Sequence, residues 1–484
     1  MRLARLARLA AALALAGVLG ASSARASVDG HAPEGSGLPP ATAAKIDALL
    51  QREIDAGEAP GISIAIARGD DLLYARGYGR RDLTLDAPAG ARTVYAIGSV
   101  TKQFTATAIL LLQEEHRLSI DDRLSTYVPE LHGASEITLR ELLQQRSGVP
   151  NYTRIPGLDL AKGMTWSAFI DAVNRLPAEF APGAAFRYDN LNYLLLGVVV
   201  ERASGMPYEQ FVRTRIIDPL HLDATGFVDD ARPRAVGYTR AGKTFRHATP
   251  WSVTLLGGAG SMTSSAVDLV RWDAALQAGR VVSVDDRRLE ESPGSDTGYA
   301  MGWVDERDGG VRLLWHNGEI AGYHAMNAML PAWHLAVVVL TNVDGIHGAA
   351  AQPERLARRV LGILEPDSPF GEDATAQQHA VPADPALAAR VRAWIAQFEA
   401  GKIDRSQLTP RLDATLTPDV VARTAESWAP LGTPQEIEVL GHERRSGFDS
   451  YVLRIVFEHA PFIWKIAVTR DGKLAGAGGM VPAE

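Results

Sequence analysis

Strand-like runs at the two ends of one long segment, with helices between them, constrain this chain more than any other feature. GISIAIARGDD, starting at Gly61, and LLYARGYG, starting at Leu72, are apolar strand patterns split by Gly69-Asp70, a hairpin signal. Strand patterns return in strength only after residue 300, as MGWVDE, VRLLWHNG, YHAMNAML and HLAVVVLTN. From Asp121 to about Leu276 helical periodicity dominates, broken by loops at Ser147-Gly148-Val149-Pro150 and Ala181-Pro182-Gly183. One sheet assembled from two distant stretches, with a helical region beside it, satisfies that order, and the cleft falls between the two parts.

The rest of the chain arranges itself around this segment. Residues 1–26 place Arg2, Arg5 and Arg8 before an apolar run from Leu9 to Leu19 and then Ala24-Arg25-Ala26, the layout of a secretory signal cleaved after Ala26. The apolar run is too short for a retained anchor, so the expectation is export, periplasmic or secreted, with no stable membrane span after cleavage. Residues 27–40 read as a flexible lead-in rich in Gly, Pro and Ser, and a helix begins near Ala41. Ser99 to Leu118 contains no Gly or Pro and predicts a long, largely buried helix with Ser99 in its first turn. A helix at 353–364 closes the segment 41–365, and 366–384 reads as a polar linker. Residues 385–484 then give two helices followed by four strands, a small α+β domain.

Composition removes several classes of function. Lys+Arg 49 against Asp+Glu 57 gives a net charge of -8, with no long basic run, which argues against a nucleic-acid partner. Cys 0 excludes a cysteine nucleophile, a thiolate metal site and a disulfide framework, so covalent catalysis must use oxygen or nitrogen.

Three short motifs remain as candidates. Ser99-Val100-Thr101-Lys102 sets an amine three residues from a hydroxyl on one helix face, which lets the amine activate it. By itself this is equally a cap serine and a solvated lysine. Tyr188-Asp189-Asn190 offers a phenol that relays a proton and an amide that holds a carbonyl, or a buried tyrosine and a helix-capping turn. His316-Asn317-Gly318 ends the VRLLWH strand, where glycine lets a ligand lie along the strand edge and histidine can donate at the cleft. Taken singly it is a strand end entering a turn.

Together and in this order, the motifs resemble the serine β-lactamase and penicillin-binding superfamily, in its class C β-lactamase-like branch, which also holds D-alanyl-D-alanine carboxypeptidases, D-aminopeptidases and esterases. The likeness runs over about 41–365 and includes GISIAIARG, ITLRELLQQRSGVPNY and GGAGSMTSSAVDLVRW. It implies an α/β sandwich, with Ser99 as the acylated nucleophile, Lys102 as its activator and Tyr188 as the proton relay. It further implies that Asn190, His316 and Gly318 contact substrate, that the backbone N–H groups of Ser99 and Glu319 form the oxyanion hole, and that no metal or cofactor is required. His316 stands where true class C β-lactamases carry lysine, which disfavours efficient β-lactam hydrolysis.

Three departures from the family pattern carry expectations of their own. Asp189 adds negative charge beside Tyr188; Gln144–Gly148 lacks the histidine that relatives place before Ser-Gly; and Glu319 narrows the pocket or repels acidic substrates. The function expected is a serine hydrolase acting on a small ester or peptide, of esterase or D-amino-acid peptidase type, with weak β-lactamase activity allowed. The rival is a catalytically silent binding or sensor protein on the same fold. The C-terminal domain resembles cystatin-like cone domains, with Trp428, Phe462 and Trp464 read as core. Oligomeric state stays open.

Overall fold

The computed structural model describes residues 33–35, 37–231, 233–241, 244–295, 297–308, 310–345, 352–366, 368–369, 381–445, 448–459 and 461–480. The expected signal segment, most of the linker and the first part of the lead-in lie outside the described residues. What is described of the lead-in does not hang free. Glu34 and Ala75 exchange both backbone hydrogen bonds at 2.8 Å, so this stretch lies along the first hairpin.

The large sheet has seven strands: β1 (Gly61–Arg68), β2 (Asp71–Asp82), β3 (Ala87–Pro88), β4 (Val304–Asp308), β5 (Val311–Ile320), β6 (Tyr323–Leu330) and β7 (Leu335–Thr341). Its order is β3-β2-β1-β7-β6-β5-β4, antiparallel throughout, so the two ends of the segment meet where β1 pairs β7, Ile62 opposite Thr341 and Arg68 opposite Leu335. Period two explains the packing. On β1, Ile62, Ile64 and Ile66 face one core while Ala65 and Ala67 face the other; on β7, Val337 and Val339 part from Val338 and Leu340 in the same way. Both faces are covered, which is why these strands read as nearly unbroken apolar runs.

Helices α1 (Pro40–Asp55) and, near the end of the segment, Pro353–Leu364 close the isoleucine face. The opposite face carries α2 (Thr101–Glu114), α3 (Asn190–Ser204) and α4 (Ala266–Gln277). Among the described residues of the middle region are also strands too short for any periodicity to reveal: Tyr95–Ala96, Gly226–Phe227 and Met262–Ser264 form a three-stranded sheet, and Tyr238–Ala241 pairs with Thr244–His247. The C-terminal part sets helices Pro385–Glu399 and Pro418–Trp428 against a separate five-stranded sheet of Val381–Pro382, Pro434–Arg445, Phe448–Phe457, Pro461–Thr469 and Leu474–Met480.

Candidate active site

Ser99 sits in a 3₁₀ turn, Gly98–Val100, that runs directly into α2. Gly98 adopts φ +49°, where a side chain is strained, and a Cβ there would stand 3.0 Å from the backbone nitrogen of Glu319. Lys102, one turn on, is 0% exposed. Its Nζ donates to Ser99 Oγ at 2.9 Å, to Asn190 Oδ1 at 2.8 Å and to the Ala259 carbonyl at 2.9 Å. Burial pushes this amine well below the ordinary lysine range, with the Asp189 carboxylate pulling the other way. A lysine held like this gives up its proton readily, and the freed lone pair already faces the serine hydroxyl.

Tyr188 leans over the same amine, its ring 4.9 Å from Lys102 Nζ. Burial and the neighbouring Tyr299 push its phenol well above the ordinary value, with the Ser99 hydroxyl opposing them. Tyr188 is 39% exposed, and water there works against the upward push. The phenol is therefore a proton donor at neutral pH. Asp189 caps α3, its Oδ1 accepting from Leu191 N–H at 2.8 Å; burial first, and Glu179 after it, lift its carboxyl to about 6. Its charge acts on Tyr188 in the expected direction, upward.

Within the Gln144–Gly148 stretch that lacks the histidine, Gln145 does structural work. Its Oε1 accepts from Asp189 N–H at 2.9 Å and from Asn192 Nδ2 at 2.7 Å, and its carbonyl accepts from Arg187 N–H at 3.0 Å. Three bonds from one residue, itself at φ +59°, hold the 187–192 stretch that presents Tyr188 and Asn190.

On the opposite wall, β4 stops pairing at Val304 opposite Trp315, so from His316 onward the β4-side edge of β5 has no strand partner among the described residues and lies against the nucleophile turn. Gly318 is what allows this approach: a Cβ there would stand 1.9 Å from the Ile97 carbonyl oxygen and 3.1 Å from Ser99 nitrogen. His316 is 2% exposed, its Nδ1 bonded to the Asn317 carbonyl at 2.6 Å and its Nε2 to Tyr299 Oη at 3.2 Å. Burial, then Lys102, lowers its pKa to about 3, so the ring is neutral, and it packs against the rings of Tyr188 and Tyr299.

The expectation that Glu319 narrows the pocket is corrected. Alternation on β5 turns its side chain away from the Gly318 face, and Oε1 lies 3.1 Å from where a Cβ on Gly345 would stand. Its backbone nitrogen lies against the nucleophile turn, 3.0 Å from where a Cβ on Gly98 would stand. Beside the turn opens a cavity of about 370 Å³ lined by Ala96, Leu256, Ile320, Tyr323, Trp251 and Asp229.

The structure thus gathers Ser99, Lys102, Tyr188, Asn190, His316 and Gly318 around one cleft, and adds Gln145, Tyr299 and the Ala259 carbonyl, which sequence reasoning missed. A family model for Beta-lactamase matches residues 46–361. The chain belongs to the beta-lactamase family. Among curated relatives, it is 28% identical over 319 residues to Protein flp of Staphylococcus aureus, a match covering 62% of this chain and 63% of that protein's length. It is 27% identical over 284 residues to the putative penicillin-binding protein PbpX of Bacillus subtilis, covering 58% of this chain and 70% of that one. Among solved structures, a D-stereospecific amidohydrolase from Streptomyces superposes with TM-score 0.57 at 25% identity, covering 65% of this chain and 97% of that one. The octameric penicillin-binding protein homologue from Pyrococcus abyssi, TM-score 0.60 at 21% identity, covers 91% of this chain and 96% of that one, so its fold extends past the family segment.

Proposed function

We propose that this beta-lactamase family member is a serine hydrolase that forms an acyl-enzyme at Ser99 with small esters or amides, of esterase or D-amino-acid amidase and peptidase type. The observation that carries the reading is Lys102 Nζ, wholly buried and 2.9 Å from Ser99 Oγ. Neutral Lys102 takes the hydroxyl proton as Oγ attacks the carbonyl carbon. The tetrahedral oxyanion is held by the N–H groups of Ser99 and Glu319. Tyr188 then protonates the departing amine or alkoxide as the C–N or C–O bond breaks, and recovers its proton from Lys102. Water attacks the acyl-enzyme through the same groups in reverse.

The likeness to a D-stereospecific amidohydrolase favours D-configured acyl groups. A buried, neutral His316 offers no cation to a β-lactam carboxylate, so β-lactam turnover is slow on this reading. Residues 1–26 serve as an export signal, checked by sequencing the N-terminus of the mature protein. The functional test is a panel of p-nitrophenyl esters, D- and L-amino-acid p-nitroanilides and nitrocefin. Hydrolysis of esters or D-anilides ahead of nitrocefin supports the assignment, and inactivity across the panel contradicts it.

A further inference from the structure

We propose that a second cavity, separate from the Ser99 cleft, binds a phosphate-bearing anion. It measures about 610 Å³ and is lined by Arg76, Arg81, Arg92 and Arg234, with Thr93 and Glu34. Four arginines and one glutamate lining one space are a concentration of positive charge on a chain whose net charge is -8, and like charges repel unless an anion separates them. Internal partners answer only half of it. Arg76 bonds Asp47 at 2.8 Å, and Arg92 bonds Glu34 at 2.8 Å in a half-exposed pair that contributes little. Arg234 donates to the uncharged Val228 carbonyl, and Arg81 has no carboxylate partner among the described residues.

The cavity walls are tied together by the backbone. Val236 N–H donates to the Arg81 carbonyl and Ala235 N–H to the Val94 carbonyl, each at 2.8 Å, which holds Arg234 between β2 and the turn at residues 90–93. A Cβ on Gly77 would stand 2.3 Å from the Ala89 oxygen, so that turn lies directly on β2. The register shift between Arg80 and Asp82 re-aims Arg81 out of simple alternation with Arg76. The arginines are therefore presented by a preformed frame, and several planar forks around one space suit the oxygens of phosphate better than a single carboxylate. Ser99, Lys102, Tyr188 and His316 do not line this cavity; Arg234 also borders the 370 Å³ cavity.

The test is calorimetric titration of the full chain with inorganic pyrophosphate at fixed ionic strength, comparing wild type with Arg81→Gln and Arg92→Gln. Saturable binding at one site, weakened roughly tenfold or more in Arg81→Gln through loss of a charge-assisted fork, supports the proposal. Ester hydrolysis should be unchanged in that variant. A second arm co-sediments the same proteins with phosphatidylglycerol vesicles, phosphatidylcholine being the blank; an Arg81-dependent signal in this arm alone assigns the phosphate to a lipid headgroup. Should Arg81→Gln fold poorly, Arg81→Lys keeps the charge without the fork and is expected to bind more weakly than wild type. Absence of saturable binding in both arms, or binding indifferent to all three variants, overturns the proposal.

Discussion

Two aromatic clusters in this molecule use the same residue types to opposite ends. In the C-terminal part, Phe398, Trp428, Phe462 and Trp464 meet edge to face or tilted, with ring centroids 5.3–6.2 Å apart, and each is at most 5% exposed. Around the cleft, Tyr188, Tyr299 and His316 meet at 5.8–6.0 Å, but Tyr188 also lies over a buried lysine, with Tyr193 5.7 Å from the same amine, and Tyr188 opens to water. The first cluster is packing and the second is electrostatics: rings that exclude water from an amine lower its pKa, whereas rings that exclude water from one another only stabilise. What marks the site is a buried amine placed among hydrogen-bond acceptors and beneath two tyrosine rings, and aromatic content alone marks nothing.

That contrast yields graded predictions. Ser99→Ala should lower ester or amide turnover by at least about 10⁴-fold with an unchanged melting curve, because only the attacking atom is removed. Tyr188→Phe keeps the ring over Lys102 and loses the proton, so kcat should fall by about 10²–10⁴-fold, with the larger loss on amides, whose leaving group needs protonation most. The same kind of truncation in the other cluster should move stability instead: Trp464→Ala should cost about 3–5 kcal/mol, read by chemical denaturation, with Ser99 chemistry intact wherever the protein remains folded. A large rate loss in folded Trp464→Ala breaks the comparison. The smallest effect is expected from Asp189→Asn, which keeps a good helix cap. Removing the carboxylate that raises the Lys102 pKa leaves more neutral amine at low pH, so the acid limb of the pH-rate profile should move downward, by less than about one unit. A shift upward would contradict the assigned sign.

Much of this was legible in the chain because some residues carry chemistry in their type and spacing. Ser99 with Lys102, and Tyr188 with Asn190, declare themselves as pairs, and the strand blocks around Gly61 and Leu335 announce a sheet closed by both ends of the segment. Other parts carry no such mark. Ala259 acts through its carbonyl, so its side chain says nothing, and Gln145 and Tyr299 are single residues without a motif. The Tyr95–Ala96 and Gly226–Phe227 strands are two residues long, below any periodicity. Glu319 differs from these, since alternation along VRLLWHNGEI already separates Glu319 from Gly318 and predicts a side chain turned from the cleft. The charge state of His316 depends on burial that only the assembled fold supplies.

The most direct test is intact-protein mass spectrometry after exposure to a fluorophosphonate probe, followed by peptide mapping. The account predicts one adduct per chain, on the peptide containing Ser99, absent in Ser99→Ala and strongly slowed in Lys102→Met. An adduct that survives in Ser99→Ala, or one that forms equally fast without the lysine amine, would contradict it.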